Sequence, residues 1–200
     1  MAREAQTVRS ARTRAALRRA ALSRFMSQGV DATSVEEIAA DAGVTVRTFY
    51  RHFATKHDLL FADYDAGLHW FRAALAARPL DEPLLESVQA AIFAFPQDVD
   101  AISQMTQMAA LRVERLDHGR IAQHLRGVES DFAQAVSDHL ARRQTPSTPE
   151  EFLAVAVTAR TLAAATFAAM ETWMVHGERT MAELSLLCQL ALDQLEFRHY

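Results

Sequence analysis

Two hundred residues, half of them apolar, are enough for one large or two small domains with a sizeable core. The net charge of −4 hides a split, since residues 1–56 hold 10 basic and 5 acidic side chains whereas the remainder holds 11 and 20. A positive first part suits a polyanion and a negative second part is repelled by one. The lone Cys188 excludes an intrachain disulfide and reads as buried filler, and no nucleophile, paired-carboxylate or glycine-loop motif argues for an enzyme.

The chain begins MAREAQTVRSARTRAALRR, six arginines against Glu4 with no apolar run, which does not have the form of a secretory signal. Residues 1–11 read as a mobile basic arm, either reaching along a nucleic acid or simply solvated. Thr13 to Gln28 reads as the first helix, with Leu17, Ala20, Ala21 and Phe25 on its buried face and Gly29 closing it.

Thr33 to Lys56, TSVEEIAADAGVTVRTFYRHFATK, reads as two short helices joined by a turn. Ser34 is a good N-cap, and Glu37 three residues later completes a capping box. Val35, Ile38, Ala39 and Ala42 recur at helical spacing, and Gly43 supplies the positive φ that commonly ends a helix. Thr45 then caps a second helix. Phe49 and Phe53, four apart, take its inner face and turn Val46, Arg47, Tyr50 and Arg51 outward, with Thr48 beside them. In a helix-turn-helix unit the N-terminal residues of the second helix touch base edges in the major groove. Val46, Arg47 and Thr48 are therefore the candidate base readers. Tyr50, His52 and Lys56, with the capped helix start at Ser34, are candidate phosphate contacts.

This stretch resembles the N-terminal DNA-binding domain of the TetR family of bacterial repressors, in which the pattern T-S/T-V-x-x-I-A-x-x-A-G-V-S/T-x-x-T-F/L-Y-x-H-F-x-x-K recurs. The likeness runs upstream through Leu17, Ala20, Ala21, Phe25 and Gly29 and downstream to Leu59 and Leu60, about the first third of the chain. It implies phosphate contacts for Tyr50, His52 and Lys56 and base-facing roles for Val46, Arg47 and Thr48. Two residues depart from the pattern. Arg47 stands where glycine or proline is frequent, and Arg24 stands where a leucine commonly precedes the phenylalanine.

Beyond Phe53, residues 54–77 read as one long helix ended at Arg78-Pro79, with Leu60, Tyr64, Leu68, Phe71 and Leu75 as its stripe. On such a helix His57, Asp65 and His69 fall near one face, yet a solvated polar face explains them better than a metal site. Further helices are expected at roughly 82–95, 98–117, 119–143, 150–176 and 180–197, broken by Pro96, Gly119, the Thr145–Pro149 run and Gly177.

The fold expected is all-α: an N-terminal three-helix DNA-binding domain with a helix-turn-helix over residues 12–56, then a helical-bundle ligand-binding and dimerisation domain over 57–200. Residues 152–170 approach the length of a membrane span, but Arg160 at their centre favours a buried helix. The last two helices carry too much apolar surface for one copy to cover, with Met181, Leu184, Leu187, Cys188, Ala191 and Leu195 forming a wide stripe on the second of them. They are the candidate homodimer interface.

Trp70, Phe71, Phe93, Phe95, Met105, Met108, Phe132, Phe167, Met170, Trp173 and Met174 supply apolar walls for a small-molecule site or for plain core. Gln104, Gln107, Arg112, His118 and Glu171 are the polar groups available to orient a guest. The resemblance implies a cytoplasmic homodimer that binds double-stranded palindromic DNA and leaves it when an apolar or amphipathic ligand binds. The second part is also similar to actinobacterial regulators related to the mycofactocin-system repressor, some of which respond to acyl-coenzyme A thioesters. The rival expectation is a DNA-binding dimer with no small-molecule switch, architectural or governed by a protein partner.

Overall fold

The computed structural model describes residues 2–94, 99–115 and 118–195, with side chains for all of these except 2–8, 63, 65, 99–102, 104, 115, 118, 120 and 122. Among the described residues there is no strand, and the chain divides into two compact units, Met1–Asp63 and Tyr64–Tyr200. The expected all-α class is therefore the observed one.

In the first unit, α1 (Ala2–Gln28) buries Leu17, Ala21, Leu22 and Phe25. It starts at Ala2, so residues 2–11, expected as an arm, are its first turns. They are rich in alanine and arginine and lack glycine and proline, so nothing local opposes the helix. Gly29, at φ 85°, ends it. Next come α2 (Val35–Asp41) and α3 (Val46–His52), each seven residues long. A 3₁₀ segment, Lys56–Phe61, follows.

That segment replaces the start of the long helix expected over 54–77. Thr55 and Asp58 form a capping box of their own: the Thr55 amide donates to Asp58 Oδ2 at 2.8 Å, and the Asp58 amide donates to Thr55 Oγ1 at 3.3 Å. Leu59, Leu60, Phe61 and Ala62 are all buried in succession, which one face of an α-helix does not allow. The α-helix proper, α4, begins only at Ala62 and runs to Ala76. His57 thus sits on the 3₁₀ segment, where helical spacing to His69 does not apply, and the Asp65 side chain lies outside the described residues.

The second unit continues with α5 (Leu84–Phe93), α6 (Val99–Arg115), α7 (His118–Arg143), α8 (Pro149–His176) and α9 (Met181–Asp193). Thr148 and Glu151 box the start of α8, with Pro149 in the first turn where its missing N–H costs nothing. Gly177 closes α8 because a Cβ there would come within 2.6 Å of the Trp173 carbonyl oxygen. Packed between α7 and α9, α8 buries Leu162, Ala163, Phe167, Trp173 and Met174. It is long and apolar enough to cross a membrane, and 39% of its most apolar window is buried, so it is a core helix on one face only. Cys188 is buried, and burial pushes its thiol up to about 11.

Candidate nucleic-acid interface

The two short helices and their turn are set by local chemistry. The Ser34 hydroxyl accepts from the Glu37 amide at 3.2 Å while Glu37 Oε2 accepts from the Ser34 amide at 2.8 Å. Gly43, at φ 66°, lets the Val44 amide return to the Ala39 carbonyl at 2.9 Å, turning the chain toward α3. Thr45 caps α3, its Oγ1 accepting from the Thr48 amide at 3.2 Å. Phe49 and Phe53 are buried beneath α3, their ring centroids 5.9 Å apart, and the Arg14 guanidinium from α1 lies 4.7 Å from the Phe53 ring centroid.

What remains on the outside of α3 is the predicted set. Arg47, Tyr50 and Arg51 are exposed, and Val46 and Thr48 are half-buried at the helix start. The Tyr50 ring stands edge-on to Phe49 at 5.4 Å, which fixes its direction while leaving it 55% exposed. His52 is half-buried with Nε2 sequestered and without a hydrogen-bond partner. Burial first, then the charges of Arg51 and Arg14, hold its imidazole below the ordinary pKa.

At two of the expected phosphate contacts, Ser34 and Lys56, the polar groups already have partners within the chain. At Ser34 both the amide and the hydroxyl are engaged by Glu37, and Glu36 adds a second negative charge to the same turn. Lys56 directs its ammonium to the carbonyl oxygens of Asp31 and Thr33, 3.0 and 2.8 Å away, and so braces the turn before α2.

Arg24, which stands out of pattern in the sequence, has a function that residue-by-residue reading missed. Its Nε and Nη2 fork onto Asp41 at 2.6 and 2.9 Å, and Nη1 reaches Glu37 at 3.1 Å, tying α1 to α2. The hydrogen bond from Arg24 holds the Asp41 carboxyl below its usual range, while Glu37 is lowered chiefly by the Ser34 amide. The sign of the signal was available, one basic and two acidic residues, but not their proximity.

In the second unit the residues expected around a ligand divide. Phe71 stacks on Phe132 at 3.9 Å, and Phe132 meets Phe167 edge-on at 5.8 Å, all three buried. Met108, Met174 and Arg112 are buried as well, with the Arg112 guanidinium 4.7 Å from the Tyr64 ring centroid and the Tyr64 hydroxyl donating to Met174 Sδ at 3.8 Å. Phe93, Met105 and Met170 are half-buried. Trp70 is exposed and donates its indole N–H to the Ala94 carbonyl at 2.6 Å, and Glu171 is exposed on α8. Neither faces an interior. Their places follow from the outer sides of α4 and α8, which alternation of apolar and small residues disguises. The Gln107 side chain bonds Ser103 at 3.0 Å, whereas the side chains of Gln104 and His118 and all of Phe95 lie outside the described residues.

A capped α2, a glycine turn and a short α3 that buries two phenylalanines while presenting arginine, tyrosine and threonine define a helix-turn-helix DNA-binding protein. Residues 17–62 match the family model of bacterial regulatory proteins of the tetR family. Along 189 residues the chain is 30% identical to the HTH-type transcriptional regulator TcmR of Streptomyces glaucescens, covering 92% of this chain and 83% of that protein. The chain belongs to the TetR family; it is a DNA-binding transcriptional regulator and not an enzyme.

Solved structures share the fold. A TetR-family repressor from Thermus thermophilus, FadR, solved with lauroyl-CoA, superposes with a TM-score of 0.52 at 18% identity, over 94% of this chain and 97% of that one. A TetR-family regulator from Mesorhizobium loti gives 0.50 at 22% identity, over 93% and 96%.

Proposed function

We propose that the protein is a cytoplasmic, dimeric repressor that holds a palindromic operator through α3 and releases it when a small apolar or amphipathic ligand occupies the second unit. The observation that carries the DNA part is the outer face of α3. Arg47 offers its fork to guanine O6 and N7, and Val46 and the Thr48 methyl suit a thymine methyl. Thr45, Tyr50, Arg51 and His52 flank them and take phosphates, which fix register without reading sequence.

Dimerisation is supported by apolar side chains left open on the last two helices, Phe152, Leu153 and Val157 on α8 and Leu186 and Leu190 on α9. Ligand control is supported by the buried Arg112 among Tyr64, Met108 and Met174, a positive group able to orient an amphipathic guest in an apolar setting. The mutual stacking of Phe71, Phe132 and Phe167 supports a second reading, a DNA-binding dimer with a filled core and no small-molecule switch.

Selection of bound sites from random duplexes tests the first claim. The expected product is a palindrome whose half-sites lie about 34–36 Å apart or a multiple of that. Recovery of unrelated sequences, or of a single half-site, overturns the dimeric operator reading.

A further inference from the structure

We propose that the first turns of α1 are a second DNA surface, on which Arg9 and Arg12 hold phosphates of the duplex flanking the operator. This rests on α3 being the reading helix and extends the footprint to DNA that the reading pair does not touch.

The charge of the first unit is unevenly held. α1 carries seven arginines and Glu4, a net +6, whereas residues 29–56 carry Asp31, Glu36, Glu37 and Asp41 against Arg47, Arg51 and Lys56, a net −1. Lys56 is moreover committed to the Asp31 and Thr33 carbonyls. The reading pair by itself has no net attraction for a polyanion, and α1 supplies it. Two of its arginines serve the fold, Arg24 forked onto Asp41 and Arg14 over the Phe53 ring. Arg9 and Arg12 do not. Both are exposed, three residues apart on one face, and among the described residues neither is in an ion pair. No acidic residue follows Glu4 on α1, so no neighbour one turn away offsets them, and like charges at that spacing weaken a helix.

Where they stand is set by the packing beside them. No described side chain of α1 before Leu17 is buried, and Arg14, just ahead of it, meets Phe53 at the C-terminal cap of α3. α1 thus leaves the core where α3 ends, and residues 2–13 run on for about 18 Å. That length matches about five base pairs of duplex. With α3 in the major groove, a basic helix projecting past its end reaches backbone outside the half-site. An anionic membrane is the poorer occupant. An interfacial helix needs an apolar face, and Val8 is the only bulky apolar side chain among residues 2–13.

The test uses a duplex that the wild type selects from a random pool, made with either about 2 or about 12 base pairs beyond the selected site at each end. Wild type, R9Q/R12Q and R9K/R12K are titrated on both over a range of salt. Glutamine and lysine are good helix formers, so neither variant removes the helix. On the long duplex R9Q/R12Q is expected to lower the slope of log K against log salt by about 1 per arginine, about 2 for each bound chain. R9K/R12K should keep the wild-type slope, because an ammonium also neutralises a phosphate. On the short duplex all three should bind alike, with the preferred bases unchanged. An R9Q/R12Q slope equal to wild type on the long duplex overturns the flanking surface. So does an equal drop at both lengths, which places the arginines over the operator itself. Loss of binding to phosphatidylglycerol vesicles with the DNA slope unchanged gives the face to a membrane and overturns it too. Selection of no common site overturns the α3 reading instead, and an arbitrary duplex of the longer length then carries the same slope comparison.

Discussion

The Lys56 ammonium lies 2.8 Å from the Thr33 carbonyl oxygen, across 23 positions of sequence. A second contact, 3.0 Å to the Asp31 carbonyl, makes this the brace between the 3₁₀ segment after α3 and the turn before α2. Thr33 is itself buried, and its hydroxyl donates to the Gly29 carbonyl at 2.7 Å, so the brace acts on the joint between α1 and α2. A lysine so placed sets where the reading pair begins.

Lys56→Met should therefore weaken binding on every DNA sequence by a similar factor while leaving the dependence of log K on log salt unchanged. A lysine that neutralised a phosphate would instead lower that slope by about 1. Titrations of operator and random duplex between low and moderate salt separate the two, and a reduced slope returns Lys56 to the DNA.

Arg47 reports on sequence rather than position. Exposed in the first turn of α3, it has the reach and the fork for a guanine edge. Arg47→Ala should cost about 1–3 kcal/mol on the operator and relax preference at one base position per half-site. Uniform loss on all sequences assigns Arg47 to the backbone instead.

How far the sequence alone carries these assignments depends on the distance over which each is decided. Ser34 with Glu37, Gly43 and Thr45 act within four residues, and Phe49 with Phe53 within one turn, so helix limits and the outward face of α3 were legible from spacing. Lys56 with Thr33 and Arg24 with Asp41 meet across folded loops, and charge type alone does not say which partner a cation finds. The 3₁₀ segment was hidden for a related reason. Leu60 fits a helical stripe with Tyr64, and only the burial of four successive residues selects the tighter turn. In the second unit, methionines and aromatics announced burial without saying what they would be buried against.

Phe132 is the clearest instance, with Phe71 stacked on one side and Phe167 edge-on to it. Phe132→Ala should cost about 3–5 kcal/mol through lost burial and a residual cavity. Chemical denaturation at one fixed protein concentration measures it, and a loss below about 1 kcal/mol would mean that the stack is not a packed core.

The last prediction concerns acid. His139 on α7 is fully buried, and Arg142 Nη2, always a donor, lies 3.0 Å from its Nδ1, which must then accept. The neutral ring accordingly carries its proton on Nε2. Protonating Nδ1 removes the acceptor and adds a cation beside Arg142 and Arg143, a cost that Glu82 and the Leu75 carbonyl offset in part. Burial first, then the two arginines, hold the imidazole below its ordinary 6.5. The folded chain thus binds fewer protons than the unfolded chain between that lowered value and 6.5, and in that window stability rises with pH. It is fully present above 6.5 and is lost on acidification. His139→Asn keeps an acceptor for Arg142 and cannot titrate. Melting curves from about pH 7.5 to 5.5 should show the wild type losing more stability than this variant, and equal slopes would take His139 out of the acid response.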